Sequence, residues 1–332
     1  MTTQQLKTLK RKQVLVTGGA GFIGSNLCES LLDNGIKVVC LDNFSTGKRI
    51  NIKPFLSDNN FNLIEGDIRN IEDCHKACND IDFVLHQAAL GSVPRSINDP
   101  IATNDVNVSG FLNMLVAARD ASVKRFVYAA SSSTYGDHEA LPKVENIIGK
   151  PLSPYAITKY VNELYADIFH STYNLDTIGL RYFNVFGKRQ DPNGAYAAVI
   201  PKFVQQFISH ESPTIHGDGS YSRDFTYIDN VVQMNINAIA TDNKEALNNV
   251  YNVAYGERTT LIELATLLKT YLSEFDAAIK NIEIKHKENR IGDIPHSLAS
   301  IDKAKKLLDY NPKYDISKGL KEAVNWYWEH LK

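Results

Sequence analysis

A doubly wound parallel α/β sheet, followed by a smaller mixed α/β region, is the fold class this sequence predicts. Three observations carry that expectation. Short apolar runs alternate with stretches of helical spacing through the first half of the chain. Those runs lack strict period-two alternation, which suits strands covered on both faces. A glycine-rich turn joins the first run to the first helical stretch, as at the opening turn of a nucleotide-binding βαβ unit.

Each element can be justified in order. Residues 13–17 (QVLVT) read as a buried strand, and 22–32 place Phe22, Ile23, Leu27 and Leu31 at helical spacing. Strands follow at 37–41, 62–64 and 83–85, then a helix through 111–118 and a strand at 125–128. Such alternation gives parallel strands joined by right-handed crossovers. Residues 154–173 read as a long helix with Pro154 in its first turn, where the missing N–H has no intrahelical partner to lose. The chain then returns as a strand at 177–182, so 13–183 forms the first domain. After Asn184 the pattern loosens, and loops such as KRQDPNG and HGDGS separate shorter elements. A second domain is therefore expected over 184–332, with 224–228 read as a strand and part of 224–255 returning to the main sheet. A terminal helix is expected over 316–330, where Trp326 and Trp328 cannot both face inward.

Composition narrows the class. Of 332 residues, 43% are hydrophobic and 22% charged, which excludes disordered, collagen-like and disulfide-scaffold proteins. Lys and Arg number 36 against 38 Asp and Glu, a net charge of −2 that gives no electrostatic reason to expect nucleic acid or an anionic membrane as partner. No apolar run approaches the ~18 residues of a membrane span. Residues 1–12 are polar and basic without the apolar centre of a secretory signal. Four cysteines (Cys28, Cys40, Cys74, Cys78) show no framework spacing and read as reduced thiols of a cytoplasmic protein. Cys74, His75 and Cys78 are the nearest approach to a metal cluster. No second pair at ligand spacing completes it, and no metal is expected.

The segment Thr17-Gly18-Gly19-Ala20-Gly21-Phe22-Ile23-Gly24 leaves a strand and opens a helix. Gly18 and Gly21 let the backbone turn tightly and approach a pyrophosphate, and Gly24 lets the helix pack on the strand. The phosphates then meet free N–H groups at the positive end of the helix dipole. Asp42 ends the second strand. Its carboxylate suits the ribose hydroxyls and repels a 2′-phosphate, which favours NAD over NADP. Gly66-Asp67-Ile68 is placed to meet the adenine, and His86-Gln87-Ala88-Ala89 brings small residues close to the cofactor. His86 itself is expected to be a packed histidine without a chemical role.

Tyr155-Ala156-Ile157-Thr158-Lys159 sets a phenol and an amine four apart, on one face of the predicted helix. Alone this is an ordinary pair. Its weight comes from position, after a dinucleotide unit and after the strand end Ser131-Ser132-Ser133-Thr134-Tyr135-Gly136, because ligands sit at strand C-termini in open α/β sheets. A tyrosine acting as base at neutral pH needs its pKa lowered by roughly three units, about 4 kcal/mol. One cation at about 4 Å supplies on the order of 4 kcal/mol at an effective dielectric near 20. Lys159, helped by the positive nicotinamide ring of NAD⁺, is expected to lower the Tyr155 pKa, while a serine hydroxyl orients the substrate hydroxyl.

GGAGFIG, Asp42, GDI, HQAA, SSSTYG, the Tyr155–Lys159 pair and Arg181-Tyr182-Phe183-Asn184 resemble, in order and over nearly the whole chain, the extended short-chain dehydrogenase/reductase family, specifically its nucleotide-sugar epimerases. The resemblance implies a Rossmann-like NAD domain over 13–183 and a UDP-sugar domain over 184–332. It implies cofactor contacts from Gly18, Gly21, Phe22, Ile23, Gly24, Asp42, Asn43, Asp67, Ile68, Gln87, Ala88, Tyr155, Lys159 and Tyr182. Ser133 stands where the family's dehydratases and decarboxylases carry an acid, which implies simple 4-epimerisation with Ser131 on the 4-hydroxyl and Ser132 and Ser133 close by. Asn184, Arg223 and Arg290 match positions that hold the pyrophosphate. Gln190, Ala198, Val199, Lys202, Gly217 and Asp293 fall near the nucleotide, and Gly91 and Ser92 near the sugar. Ser297 replaces a tyrosine of the enzymes restricted to UDP-glucose and UDP-galactose, leaving volume for a 2-acetamido group. The loop from Gly91 to Ser96 and the run from Gln190 to Gly194 resemble a bacterial subgroup that prefers N-acetylated sugars. The implied reaction is interconversion of UDP-N-acetylglucosamine and UDP-N-acetylgalactosamine, with the uronic acids as further candidates because Arg95 suits a carboxylate. The rival readings are a UDP-glucose 4-epimerase, a dehydratase or decarboxylase, and a non-catalytic NAD-sensing protein. The family also implies a cytoplasmic homodimer serving polysaccharide biosynthesis such as O-antigen. Its four-helix interface is expected from the helix ending near Ala118 and the helix carrying Tyr155.

Overall fold

Seven parallel strands form the central sheet of the computed structural model, which describes residues 1–193, 197–288 and 294–332. A short helix α1 (Thr3–Leu9) precedes β1 (Gln13–Thr17), α2 (Phe22–Leu32), β2 (Lys37–Asp42), α3 (Arg49–Ile52), β3 (Phe61–Glu65), α4 (Ile71–Cys78) and β4 (Phe83–His86). Then come α5 (Val93–Asn98), α6 (Pro100–Asn104), a π-helical turn (Asp105–Gly110), α7 (Phe111–Asp120), β5 (Arg125–Ser131), α8 (Pro154–Tyr173) and β6 (Thr177–Tyr182). The strand order is completed by a later strand, β11 (Asn249–Val253), as β11-β6-β5-β4-β1-β2-β3. β2, β3, β4 and β5 run one to three residues past the expected apolar stretches. The backbone ladder continues beyond the apolar side chains, pairing Asp42 with Glu65, His86 with Tyr128 and Ser131 with Tyr182.

The sheet is buried on both sides, as the unbroken apolar runs require. Val14 and Val16 pack into one cluster with the buried faces of α2 and the C-terminal helices, while Leu15 between them packs into the other with α4, α7 and α8. All four cysteines are free and buried. Cys74 and Cys78 belong to the second cluster, where burial pushes both thiols up to about 12. Among the described residues no group of three or more His, Cys, Asp or Glu side chains is placed to hold a metal, and no helix is long and apolar enough to cross a membrane.

The C-terminal half adds β7 (Val185–Phe186), α9 (Val199–Ile208), β8 (Thr214–His216), β9 (Ser222–Arg223), β10 (Thr226–Tyr227), α10 (Ile228–Ala240), β11 (Asn249–Val253), β12 (Thr259–Thr260), α11 (Leu261–Leu272), β13 (Lys285–Lys287), α12 (Asp302–Leu308) and α13 (Ile316–Leu331). One expectation is corrected here. Residues 224–228 are not a strand of the main sheet: Thr226 and Tyr227 pair with Val185 and Phe186 in a separate two-stranded sheet, and Ile228 begins α10. The strand that returns is β11, parallel to β6. It falls inside the 224–255 stretch expected to return, although Asn249 and Asn252 among its apolar residues left its bounds unmarked. Asn252 is tolerated in the core because Tyr135 Oη donates to its Oδ1 and its Nδ2 donates to the carbonyls of Lys143 and Ser300. At the chain end Trp326 and Trp328 are both half-buried and flank the fully buried Tyr327, whose hydroxyl donates to Gly187 O.

His86 is a core residue, stacked near Phe126 and edge-on to Phe111. Thr17 Oγ1 accepts the Ala88 N–H and shares a second hydrogen bond with His86 Nδ1 at 2.9 Å. Burial pushes the imidazole pKa from 6.5 to about 3. Below pH 6.5 the unfolded chain binds a proton that the folded chain refuses, so stability present above pH 6.5 is lost as pH falls toward 3. Thermal denaturation of wild type and His86→Gln, compared between about pH 7 and about pH 4.5, should show the stability gap narrowing toward the acid side. A constant gap would mean that the folded state accepts the proton.

Candidate active site

The C-terminal ends of β1, β2, β4, β5 and β6 open onto one cleft of about 390 Å³. The first wall is the glycine turn. Gly18 has φ +65°, and a Cβ there would stand 2.8 Å from Ala88 N, so both the backbone conformation and the approach of the β4 end demand glycine. A Cβ on Gly24 would strike the Gly18 carbonyl. The N-cap of α2 is Gly21, which supplies no side-chain acceptor, so the first-turn N–H groups at Phe22 and Ile23 are left for a ligand. Asp42 closes this wall. Its carboxylate is largely buried and accepts two neutral backbone N–H groups, Ala20 to Oδ2 and Phe44 to Oδ1, each at 2.8 Å. Burial raises its pKa. A desolvated carboxylate held this way suits ribose hydroxyl donors and opposes a further phosphate. The glycine turn, the uncapped helix end and Asp42 together fit NAD.

The second wall carries the reactive groups. Ser131 ends β5, and its Oγ accepts from Ser133 N (3.1 Å) and Ser133 Oγ (2.9 Å). With both acceptor positions taken, its own proton is directed elsewhere, and the neighbouring hydroxyl lowers the Tyr155 pKa. Lys159 is buried one helical turn after Tyr155 and donates to Ala129 O at 2.8 Å. This departs from the electrostatic expectation. Burial raises the Tyr155 pKa, only partly offset by Ser131, and burial lowers Lys159 to about 8. The helical spacing brings phenol and amine together, but the same enclosure desolvates both charges, and the amine is committed to a backbone carbonyl. Deeper still, Tyr182 Oη donates to Gln87 Oε1 (3.1 Å) and accepts from Asn235 Nδ2 (2.9 Å) on α10.

Of the sequence-predicted residues, the cleft gathers Gly18, Gly21, Phe22, Ile23, Gly24, Asp42, Asn43, Ile68, Gln87, Ala88, Gly91, Ser131, Tyr155, Lys159, Tyr182 and Asn184. Others do not line it. Asp67 is turned toward Arg69, whose guanidinium holds its carboxyl down at about 2, and toward Asn43. Ser133 props Ser131, while Ser132 lies in the 3₁₀ turn behind it. Ser92 caps α5 at φ +98°, accepting from Arg95 N. Gln190 is used in packing: its amide donates to Val185 O and accepts from Tyr327 Oη. Ala198, Val199 and the exposed Lys202 lie at the start of α9, and Gly217 N donates to Lys287 O. Arg223 and Ser297 come together on adjoining segments, with Arg223 Nη1 donating to Pro295 O (3.1 Å) and Ser297 N to Ser222 O (3.0 Å). Gly194, Arg290, Gly292 and Asp293 lie outside the described residues.

Several cleft residues escaped the sequence reading. Ser45, Thr46 and Gly47 follow Asp42. Gly47 carries the usable signal, since a Cβ there would press on the Asp42 carboxylate at 2.7 Å. Ala129 and Ala130 precede Ser131 and line the cleft, the same small-residue signal as Ala88 and Ala89. Asn107, on the π-helical turn, also went unseen. Its Oδ1 accepts Leu90 N (2.8 Å), and its Nδ2 donates to Thr158 Oγ1 (3.2 Å), tying the loop after β4 to α8.

The model of the NAD dependent epimerase/dehydratase family matches residues 14–254. The chain belongs to this family. Its cofactor is therefore NAD. The chain is similar in structure to the UDP-N-acetylglucosamine 4-epimerase of Methanobrevibacter ruminantium in complex with UDP-N-acetylmuramic acid, with TM-score 0.89 and 39% identity over 96% of this chain and 98% of that one. It is similar to the UDP-glucose 4-epimerase of Thermotoga maritima with UDP-glucose (TM-score 0.86, 34% identity, 96% and 100% covered). A third similar structure is the UDP-glucuronic acid 4-epimerase of Bacillus cereus with UDP-glucuronic acid and NAD (TM-score 0.86, 31% identity, 96% and 99% covered). The family member described here should lose about 10²–10⁴-fold in turnover on Tyr155→Phe, the usual worth of a positioned acid–base group. Released NAD, quantified after denaturation, should equal that of wild type. Retained turnover would remove Tyr155 from the chemistry.

Proposed function

We propose that this UDP-sugar 4-epimerase interconverts UDP-N-acetylglucosamine and UDP-N-acetylgalactosamine. The choice of sugar is carried by the small Ser297, held by Ser222 beside Arg223, at the position where the resemblance puts a bulky tyrosine in enzymes restricted to UDP-glucose and UDP-galactose. The 39% identity to a UDP-N-acetylglucosamine 4-epimerase supports the same reading. Dehydration is disfavoured because Ser133, at the position of the dehydratase acid, is a hydroxyl spent on Ser131.

In this reading residues 13–183 together with β11 hold the cofactor, and the remaining C-terminal segments hold the UDP-sugar. NAD, when bound, supplies the acceptor for the C4 hydrogen and the positive charge beside the phenol. Tyr155 removes the proton from the C4 hydroxyl, and Ser131, already aimed at Tyr155, aligns that hydroxyl. Lys159, anchored on Ala129 O, holds α8 so that the phenol stays at the cleft floor. The 4-keto sugar turns over about its pyrophosphate link while Asn184 and Arg223 keep the nucleotide in place. Tyr155 then returns the proton to the C4 oxygen from the same position as the C4 hydrogen is restored to the other face of the carbon, and the stereocentre is inverted without net oxidation.

Each UDP-sugar, supplied without added NAD and followed by sugar analysis, tests the assignment. The acetylated pair should have the higher kcat/KM, and Ser297→Tyr should cut it by roughly 10–100-fold while sparing UDP-galactose. Equal or better use of UDP-galactose by the wild type would overturn the sugar assignment. Products with altered mass would overturn epimerisation.

A homodimer completes the proposal. Ile157, Leu164 and Ile168 form an outward apolar stripe on α8, 50–54% exposed, where one-sided apolar spacing on a helix marks a buried face. The stripe adjoins α6, where Ile101 is 82% exposed. Light scattering should give a dimer for wild type and a monomer for Leu164→Glu. A monomeric wild type would refute the interface.

A further inference from the structure

Asp224 is fully buried beside Arg223, yet among the described residues its carboxylate is bonded by backbone alone. Oδ1 accepts from Tyr255 N at 3.0 Å, and Oδ2 accepts from Gly256 N at 3.1 Å and from Ala299 N at 3.3 Å. The carbonyl of the same residue accepts Asn184 Nδ2 at 3.1 Å, and Asn184 lines the catalytic cleft. One residue thus joins the turn after β11, the segment entering α12 and the cleft floor. The neighbouring contacts run the same way. Ser222 N donates to Pro295 O and Ser297 N to Ser222 O, each at 3.0 Å, so the segment bearing Ser297 is laced to β9 and pinned by Asp224 two residues further on.

The chemistry of the side chain explains why an aspartate stands here. Three N–H donors converge from two segments, and only a carboxylate offers acceptors on both oxygens. An amide would turn an N–H toward one of the donors. The cost is desolvation, which pushes this carboxyl up to about 7 despite the three bonds. A merely filled core would favour an apolar residue, and a simple turn is capped at lower cost near the surface.

We propose that Asp224 is a positioning residue for the UDP-sugar. By holding Ala299, Tyr255 and Gly256 against the strand that carries Arg223, and that strand against Asn184, it fixes the substrate wall at its working distance from Tyr155. It touches neither substrate nor cofactor. The inference rests on the proposed roles of Arg223 and Ser297 as substrate contacts.

Asp224→Asn and Asp224→Ala, prepared as holoenzymes, should separate affinity from chemistry. KM for the UDP-sugar and Kd for UDP alone should rise about tenfold in Asp224→Asn, the worth of one good hydrogen bond, and further in Asp224→Ala. Turnover at saturation should stay within about threefold of wild type, and NAD content should be unchanged. Unchanged KM and Kd, or a fall in kcat at constant KM, would overturn the proposal. Hydrogen exchange on the wild-type holoenzyme gives a reading independent of how the variants fold: the amides of Tyr255, Gly256 and Ala299 should be protected without ligand, and rapid exchange at all three would also overturn it. UDP serves as probe because it separates the two claims. A wild type that binds UDP but ignores acetylated UDP-sugars sinks the sugar assignment alone, whereas unaltered UDP binding and KM in the variants sink the role of Asp224 alone.

Discussion

The hydrogen bond from Lys159 Nζ to Ala129 O is the contact on which the proposed chemistry depends. It fastens α8 to the end of β5 at the level of the cleft. Helical geometry then leaves Tyr155 one turn earlier, beside Ser131, the last residue of the same strand. A strand end and a helix face are both rigid, so three reacting groups are positioned by two elements rather than by a loop. The enclosure that makes the site precise also desolvates it: Tyr155 is harder to ionise and Lys159 easier to neutralise than in water. The resting protein therefore holds its base in reserve, which suits a catalyst whose missing positive charge belongs to its cofactor.

Two further constraints surround this pair. The sheet is apolar on both faces, so its polar backbone ends and the N-terminus of α2 are concentrated along one edge. Close approach at Gly18 and Gly24 keeps that edge narrow enough for a dinucleotide. The C-terminal region proposed to hold the substrate has little sheet of its own. It is assembled from two-stranded pieces, β7 with β10, β8 with β13 and β9 with β12. Such ribbons are marginal alone, and side-chain bonds from Asp224, Asn230 and Asn252 to distant backbone tie together the segments around them. Variation in that region can retune the sugar without disturbing the hydride chemistry, which is consistent with similar structures named for different UDP-sugars.

Much of this was legible in the residues alone. The strands β1 to β6, the limits of α2 and α8, the glycine turn, Asp42 and the Tyr155–Lys159 pair all follow from local pattern, because burial on both faces and helical spacing leave direct marks on neighbouring residues. Ser131, by contrast, could not be told from Ser132 and Ser133 by spacing. Only the 3₁₀ turn, which points Ser133 back at Ser131, makes the first serine the one that faces the phenol. The edge strand β11 falls in the 224–255 stretch expected to return, but its asparagines left its bounds unmarked, and the bonds of the Gln190 amide to Val185 and Tyr327 carry no trace in the sequence.

What the sequence determined by itself is the parallel scaffold, the cofactor class and the placing of Tyr155 and Lys159, the pair proposed for the acid–base chemistry, on one helix face, since each is written in contiguous or helically spaced residues. Tertiary structure alone decided the protonation tendencies of Tyr155, Lys159, His86 and Asp224, and the union of Asn184, Asp224, Tyr255 and Ala299 into one anchored wall. The physical reason is common to both: desolvation and backbone hydrogen bonds between remote segments depend on which atoms surround a group in space, and neighbours along the chain carry no record of them.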